Sequence, residues 1–364
     1  MRILRVAQNF DGHVFPLSEA QAKMGHDVTV LRPCESDERP GVFEQDGYTL
    51  VRKPCTFEIV GNKFATGVGK DLLRVNEYDV VHAHSHLFFS TNLASLSRVF
   101  GGTPLAITNH GVHSQSVPEW FSKAYLSTLG RWTYNRADAV FCYTEVDQRR
   151  LRKYGVTTNC NVVPNGIDSG RFVPDGATSK RIDHNGPTVL FAGRLAQGKR
   201  PWCAIRAIAS VRDSGLDAHL YLCGDGPMRG TLKHLVEGKG ISNAVHFLGQ
   251  VPSEEMPKVY RSADVLVLPS RAEGVPRVVL EALACTTPVV TSALPPITDF
   301  VSESGYAVEI GDTPGFSERL KELLENPDRR AEYGKRGREI VKERFEWENL
   351  VDQTTKVLER LSRG

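Results

Sequence analysis

The chain has 364 residues, of which 40% are hydrophobic and 24% charged, and 45 Lys and Arg against 43 Asp and Glu leave a net charge of +2. This composition excludes a disordered chain, a collagen and a membrane-embedded bundle, and the near balance of charge gives no bulk attraction to nucleic acid. At roughly 150 residues per domain the length predicts two domains, each able to bury its own core.

Short apolar runs alternate with helical patterns from the start. Ile3–Ala7 reads as a strand, followed by a loop and a helix around Pro16–Met24 that ends at Gly25–His26. Val28–Leu31, Asp79–His84, Leu105–Thr108 and Ala139–Tyr143 read as further strands, with helices at Asn92–Phe100 and Trp120–Arg136 between them. Buried strands separated by helices predict a parallel sheet covered on both faces. Pro164, Asn165, Gly166, Asp168, Pro174, Asp175, Gly176, Asn185, Gly186 and Pro187 then crowd one stretch, a linker composition. The alternation restarts with strands at Thr188–Ala192, Ala218–Cys223, Val245–Leu248, Val265–Pro269 and Pro288–Thr291, and Pro327–Leu361 is helical by period. The expected fold class is therefore α/β, with two doubly wound parallel-sheet domains: residues 1–168, a linker 169–186, and residues 187–345.

The seven cysteines (Cys34, Cys55, Cys142, Cys160, Cys203, Cys223 and Cys285) are odd in number and form no C-x-x-C pair. With no signal-peptide core at MRILRVAQNF and no window of about 18 apolar residues, a reducing cytoplasm is the simplest location.

Ligands of open parallel sheets bind beyond the carboxyl ends of the strands, and two segments there carry chemistry. In PSRAEGVPRVVLEALA, a strand ends at Pro269, Gly274 permits an unusual backbone, and Pro276 suits the first turn of a helix. The free N–H groups and dipole of that helix end form an anion site. Glu273 precedes it, and Glu281 projects back toward it. Two carboxylates around a phosphate-binding end suit a ligand with phosphate in the middle and hydroxyls at both ends, a nucleotide sugar. The same pattern also fits Glu273 as a cap and Glu281 as a solvated helix residue. In LFAGRLAQGKR, Arg194 and Lys199 follow a strand, and cations there match a diphosphate.

Taken with DVVHAH, TNHG, RADAV, VVPNGID, FAGRL, GDGP, FLGQV and ADVLVLPS in that order, these segments resemble the retaining glycosyltransferases of family 4, whose GT-B fold pairs two Rossmann-like domains across a cleft. The resemblance implies that Arg194 and Lys199 hold the donor diphosphate, that Glu281 binds ribose hydroxyls, and that Glu273 binds hydroxyls of the transferred sugar. It places the backbone of Gly274 and Val275, with Pro276 and Arg277 of the helix end, beside sugar and phosphate, and the main chain around Gln250 and Val251 at the base. His110 is implied to face the donor sugar, and the last helix, about 346–364, to cross back to the first domain.

The implied reaction moves a hexosyl unit from a UDP- or GDP-sugar to an acceptor hydroxyl on a glycan, lipid-linked saccharide or small molecule, with retention. The cations and the helix end stabilise the departing diphosphate, no resident cofactor is required, and a metal is not indicated. No carboxylate is placed behind the anomeric carbon, which favours front-face attack over the double displacement of retaining glycosidases. A nucleotide-sugar epimerase and a non-catalytic nucleotide-sugar-binding subunit are the alternatives. A hydride-transferring enzyme is disfavoured because AQNFDGHVF replaces G-x-G-x-x-G.

Two departures from the family pattern stand out. The first loop reads FDGHVFP, with Gly12 alone where the family has a glycine pair, so Gly12 is the one backbone contact implied on the acceptor side. After the second carboxylate helix stands ALPPITDF, where Pro295 and Pro296 lack N–H groups and Asp299 stands in for the family's acid.

His82, His84 and His86 alternate and in a strand would share one face, yet bare histidine spacing is weak evidence for a metal. Phe121, Tyr125, Leu129 and Trp132 fall near one helical face, read as an amphipathic core helix with RRLRK as a solvated basic turn beyond it. A peripheral contact with anionic lipid is the alternative reading of that helix.

Overall fold

A computed structural model describes residues 1–8, 11–59, 62–110, 119–183 and 186–364. It falls into two compact units, Met1–Pro164 with Asn349–Gly364, and Asn165–Glu348.

In the first unit, the strands β1 (Arg2–Val6), β2 (Asp27–Pro33), β3 (Gly41–Gln45), β4 (Tyr48–Lys53), β7 (Val80–His84), β8 (Leu105–Thr108), β9 (Ala139–Cys142) and β10 (Cys160–Val162) form one sheet. Its order is β10-β9-β8-β7-β1-β2-β4-β3. All pairs are parallel except β3 with β4, a hairpin turned at Asp46 and Gly47, both at positive φ. A separate antiparallel ribbon joins β5 (Phe57–Ile59) and β6 (Asn62–Phe64). The central strands β1, β7 and β8 are buried along almost their whole length, Arg5, His82 and His84 included.

In the second unit, β11 (Thr188–Ala192), β12 (His219–Cys223), β13 (Val245–Gly249), β14 (Val265–Leu268), β15 (Val289–Ser292) and β16 (Gly305–Val308) form a wholly parallel sheet in the order β13-β12-β11-β14-β15-β16. One apolar cluster packs on each face, one around Phe191, Ile205, Leu220 and Phe316, the other around Leu190, Tyr260, Leu266 and Leu280. Residues 169–183 belong to this unit, with Phe172 buried in the second cluster.

Several local expectations change. The segment Asp11–Pro16, expected as a loop, is the start of a helix, Asp11–Lys23, with Pro16 inside it. The expected helix over Trp120–Arg136 runs as Glu119–Tyr125, a π-helical turn Leu126–Gly130, and Arg131–Asn135. Its buried side is Ser122, Leu126, Gly130, Thr133 and Tyr134, while Phe121 and Leu129 are 48% and 43% exposed, so the predicted core face is not the core face. Ser122, Leu126, Gly130 and Tyr134 keep a spacing of four, so the whole buried face is displaced by one residue, about 100°, from the predicted one. Pro295 and Pro296 open the helix Pro295–Val301, where a missing N–H leaves no intrahelical bond unmade.

Candidate functional site

The strand order of the second sheet reverses between β11 and β14: the chain winds outward from β11 to β13, then crosses to β14 on the other side. Such a switch point leaves a crevice beyond the carboxyl ends of the two strands, because the connecting loops diverge to opposite faces. Arg194 and Lys199 lie in the loop after β11; Glu273 and Gly274 lie in the loop after β14.

Close backbone packing fixes the first loop. A Cβ on Gly224 would stand 2.1 Å from the Gly193 oxygen, and one on Gly226 2.5 Å from the Leu195 oxygen. Only glycine lets the loop after β12 lie this close, and the contact is zipped by Gly193 N–H to the Cys223 oxygen (2.9 Å), Leu195 N–H to the Asp225 oxygen (2.9 Å) and Met228 N–H to the Leu195 oxygen (3.0 Å). Leu195 is buried while Arg194 is exposed, and among the described residues Arg194 has no carboxylate partner.

The two loops meet directly. Arg271 N–H donates to the Gly198 oxygen (2.8 Å), and Lys199 Nζ donates to Glu273 Oε1 at 2.5 Å. Glu273 is nearly buried at 10% exposure, so the lysine compensates much of its desolvation.

The helix Arg277–Ala284 begins immediately beyond. Pro276 is its N-cap, one position earlier than expected, and accepts from Val279 N–H (3.1 Å) through its carbonyl. Pro276 gives no side-chain cap, and among the described residues Glu273 is bonded to Lys199 and not to this helix end. With Val279 N–H already turned to the Pro276 carbonyl, the dipole adds positive potential at this end. At the other end, the Arg338 guanidinium donates to the Ala284 and Phe172 oxygens, a cation where the dipole favours one. The Val275 carbonyl is held by Asn165 Nδ2 (2.9 Å), and Gly274 has open space where a Cβ would stand.

Glu281 is oriented from beneath. Its Oε2 accepts from the hydroxyl of Tyr260 (2.8 Å), and its Oε1 lies 3.7 Å from the Arg277 guanidinium. Tyr260 is fully buried, and burial together with the Glu281 charge pushes its phenol well above the usual range. The tyrosine therefore stays a donor. Val251 packs partly buried against the cluster below. The Ser270 hydroxyl at the end of β14 is buried without a hydrogen-bond partner. Asp299, expected to replace a family acid, is exposed on the helix Pro295–Val301.

The first unit holds a separate polar cluster at the carboxyl ends of β7 and β8. His84 Nδ1 and His110 Nε2 are 2.9 Å apart, and the Tyr143 hydroxyl lies 2.7 Å from His110 Nδ1. His82 Nε2 bonds the Thr108 hydroxyl at 2.7 Å, and His86 Nδ1 the Tyr134 hydroxyl at 2.8 Å. The three alternating histidines do not share one face: β7 ends at His84, and Ser85, at φ 61°, turns His86 toward Tyr134. No group of three metal-ligating residues occurs among the described residues. Burial holds His82, His84 and His110 well below the ordinary histidine range. A neutral His110 donates through one ring nitrogen and accepts through the other. Gly12 falls in the first turn of the helix Asp11–Lys23, with its surroundings outside the described residues. Gly111, the end of TNHG, is also outside them.

Sequence reasoning missed Asn165, Tyr260 and Arg338. Asn165 was visible within VVPNGID; Tyr260 and Arg338 gave no signal, since one is a buried aromatic among many and the other an arginine on a charged helix.

Two doubly wound parallel-sheet units, one with cations and a helix N-terminus at its switch point, define the class of two-domain α/β proteins. The family model described as glycosyl transferases group 1 matches residues 177–340, and that described as Glycosyltransferase Family 4 matches residues 12–171. The D-inositol 3-phosphate glycosyltransferase of Corynebacterium jeikeium is 31% identical over 78% of this chain and 73% of its own length. The GDP-mannose-dependent alpha-(1-6)-phosphatidylinositol monomannoside mannosyltransferase of Mycolicibacterium smegmatis is 28% identical over 88% of this chain and 87% of its own. Among solved structures, sucrose-phosphate synthase from Thermosynechococcus elongatus superposes with a TM-score of 0.82 at 20% identity, covering 99% of both chains. Anabaena Alr3699/HepE, in complex with UDP and glucose, does so with 0.80 at 20% identity, covering 99% of this chain and 100% of its own. The chain belongs to the group 1 glycosyltransferases of GT-B fold.

Proposed function

We propose that the protein is a retaining hexosyltransferase that uses a nucleoside-diphosphate sugar. The observation that carries this reading is the convergence, at one switch point, of Arg194, the Lys199–Glu273 pair and the uncapped helix end before Arg277. Arg194 and Lys199, with the first-turn N–H groups, take the diphosphate and stabilise the charge that grows on it as the glycosyl bond breaks. Glu281, oriented by Tyr260, takes the ribose hydroxyls; Glu273 takes hydroxyls of the hexose. Holding both ends of the donor fixes the anomeric carbon for attack and removes much of the orientational cost. The backbone around Gly274, Val275 and Pro276 lies beside the sugar and phosphate, and that around Val251 meets the base.

The acceptor hydroxyl attacks the face the phosphate leaves, and its proton passes to the departing phosphate oxygen. The bond from the anomeric carbon to that oxygen breaks as the new glycosidic bond forms, so configuration is retained. A UDP- or GDP-sugar is the donor class, and a glycan, lipid-linked saccharide or small molecule the acceptor class; the relatives' names give GDP-mannose with a phosphatidylinositol monomannoside for one and D-inositol 3-phosphate for the other. No helix among the described residues is long and apolar enough to cross a membrane; a cytoplasmic protein with peripheral membrane contact is part of the same proposal.

The test is a panel of UDP- and GDP-sugars screened by thermal shift, then turnover with simple glycan and lipid-linked acceptors and NMR of the product's anomeric configuration. Inversion overturns the retaining mechanism. Rearrangement of the donor without acceptor overturns transfer. No stabilisation by any nucleotide overturns the reading as a whole. For the first unit the reading is tested at His110: His110→Asn is expected to lower kcat without changing nucleotide binding.

A further inference from the structure

The first sheet has a switch point of its own. The chain winds from β1 outward to β2 and β4, then returns to β7 on the other side of β1, so a crevice opens beyond the carboxyl ends of β1 and β7. Four rings gather at that end of the sheet, one from each of four adjoining strands. His13 lies on the helix that follows β1, His84 is the last residue of β7, and His110 and Tyr143 come just after β8 and β9. The centre of the His13 ring stands 5.9 Å from that of His84, 5.5 Å from that of His110 and 6.0 Å from that of Tyr143. His84 Nδ1, the His110 ring and the Tyr143 hydroxyl form one line of hydrogen bonds, 2.9 Å and 2.7 Å long, which takes up both ring nitrogens of His110. His84 is fully buried, and among the described residues its Nε2 has no hydrogen-bond partner. Tyr143, at the outer end of the line, is half-buried.

Such a line can run in two senses. Burial keeps both imidazoles neutral, so each carries one N–H and one bare nitrogen. If Tyr143 donates to His110 and His110 to His84, the single N–H of His84 falls on Nε2, where it is buried and unpaired. In the reverse sense His84 Nδ1–H donates to His110 Nε2, His110 Nδ1–H donates to the Tyr143 oxygen, and only a lone pair is left at His84 Nε2. In folded proteins an orphaned buried N–H is rarer than an acceptor left short of a partner, which selects the second sense. The Tyr143 proton then points away from His110. We infer that the Tyr143 hydroxyl, and not a ring nitrogen of His110, is the donor that the first unit presents to a sugar hydroxyl, with His110 and His84 as positioning residues that set its direction. A sugar hydroxyl suits this donor because the bonded groups of the line are uncharged and a hydroxyl oxygen accepts from a phenol. The identity of the ligand rests on the hexosyltransferase reading; the sense of the line does not.

The sense of the line is read by long-range proton–nitrogen NMR of the imidazoles in the full chain, assigned with His84→Asn and His110→Asn. The expected result is a proton on Nδ1 of both rings. A proton on Nε2 of either ring overturns the inference, because Tyr143 then donates inward. The ligand is read by steady-state kinetics with UDP-glucose or GDP-mannose as donor and methyl α-mannopyranoside as acceptor probe. Tyr143→Phe is expected to raise KM about tenfold for the sugar it contacts, with kcat changed less than about threefold and affinity for UDP and GDP unchanged. A rise in donor KM assigns the contact to the transferred hexose, and a rise in acceptor KM assigns it to the acceptor; parent values for both overturn the inference. His84→Asn keeps an N–H near the place of Nδ1 and is expected to hold the parent KM, whereas His84→Leu is expected to match Tyr143→Phe. A parent KM in His84→Leu overturns its positioning role. If the parent turns over neither nucleotide sugar, the hexosyltransferase reading falls and the sugar ligand with it, while the NMR result alone decides the sense of the line, so the two failures are told apart.

Discussion

Lys199 and Glu273, 74 residues apart, meet at 2.5 Å between the loops that follow β11 and β14. The pair ties the two sides of the switch point together before any ligand arrives. In the proposed reaction, an entering diphosphate would share Lys199 with this carboxylate.

Removing either partner has different effects. Lys199→Ala leaves Glu273, 10% exposed, without its cation, and is expected to cost about 1–3 kcal/mol of stability because a buried charge loses its partner. Glu273→Gln keeps the shape and removes the charge, so thermal stability is expected to change little while kcat falls by about a hundredfold or more. Thermal melts and steady-state kinetics of both variants check this; equal activity in Glu273→Gln and the parent contradicts it.

Arg194 is exposed and unpaired, so Arg194→Ala is expected to leave the melting temperature within the range of ordinary surface substitutions, about 0.5 kcal/mol. Its effect appears in calorimetry with UDP and GDP, where affinity is expected to fall by about tenfold or more through loss of charge-assisted bonds of about 1.5–3 kcal/mol.

The glycines separate packing from binding. Gly224→Ala places a Cβ 2.1 Å from the Gly193 oxygen, which forces the backbone apart and is expected to cost about 3 kcal/mol or more, with loss of nucleotide affinity. Gly274→Ala meets nothing within 4 Å and is expected to melt with the parent. A normal melt for Gly224→Ala would mean that the loops after β11 and β12 are not locked as described.

Tyr260→Phe deletes the hydroxyl that orients Glu281 at 2.8 Å. The expected result is a rise in KM for the donor of about fivefold to a hundredfold, the equivalent of about 1–3 kcal/mol for leaving a buried acceptor unsatisfied, with kcat less affected. A pure loss of stability with unchanged KM would assign Tyr260 to the core alone.

The buried histidines give a pH dependence of stability. His82, His84 and His110 lie well below 6.5 in the folded protein and return to about that value when unfolded. Below pH 6.5 the unfolded chain binds protons that the native one refuses, so stability falls as pH falls and rises with pH up to that point. Urea melts at descending pH are expected to show a slope approaching about 1.4 kcal/mol per pH unit for each such histidine, and His82→Gln and His84→Gln are each expected to flatten it. A curve flat across that window contradicts the assignment.

Much of the architecture was legible because parallel strands buried on both faces must be short apolar runs, and the runs at Thr188–Ala192 and Ala139–Cys142 could be little else. The β3–β4 hairpin was missed although Asp46–Gly47 is a strong turn signal; β3 is exposed at four of its five residues, so it carries no buried apolar run. The helix that begins at Asp11 was hidden by Pro16 and Gly12, which read locally as loop. The face of the segment Glu119–Asn135 was misread by one residue because its large apolar side chains, Phe121, Leu129 and Trp132, lie off the buried side, which carries the small or polar Ser122, Gly130 and Thr133.

For the candidate site, the position of Arg194, Lys199, Glu273 and Glu281 after strand-like runs marked them as candidates, while the pattern alone left Glu273 and Glu281 open between ligand contacts and structural roles and the resemblance supplied the roles. Local sequence also determined that each unit winds strand and helix in alternation, since periodicity and turn chemistry act over a few residues. That Lys199 pairs with Glu273, that Tyr260 aims Glu281, and that Gly224 and Gly226 press against the loop after β11 was decided by tertiary structure alone. These contacts join segments tens of residues apart, and only strand order and packing bring such groups within bonding distance.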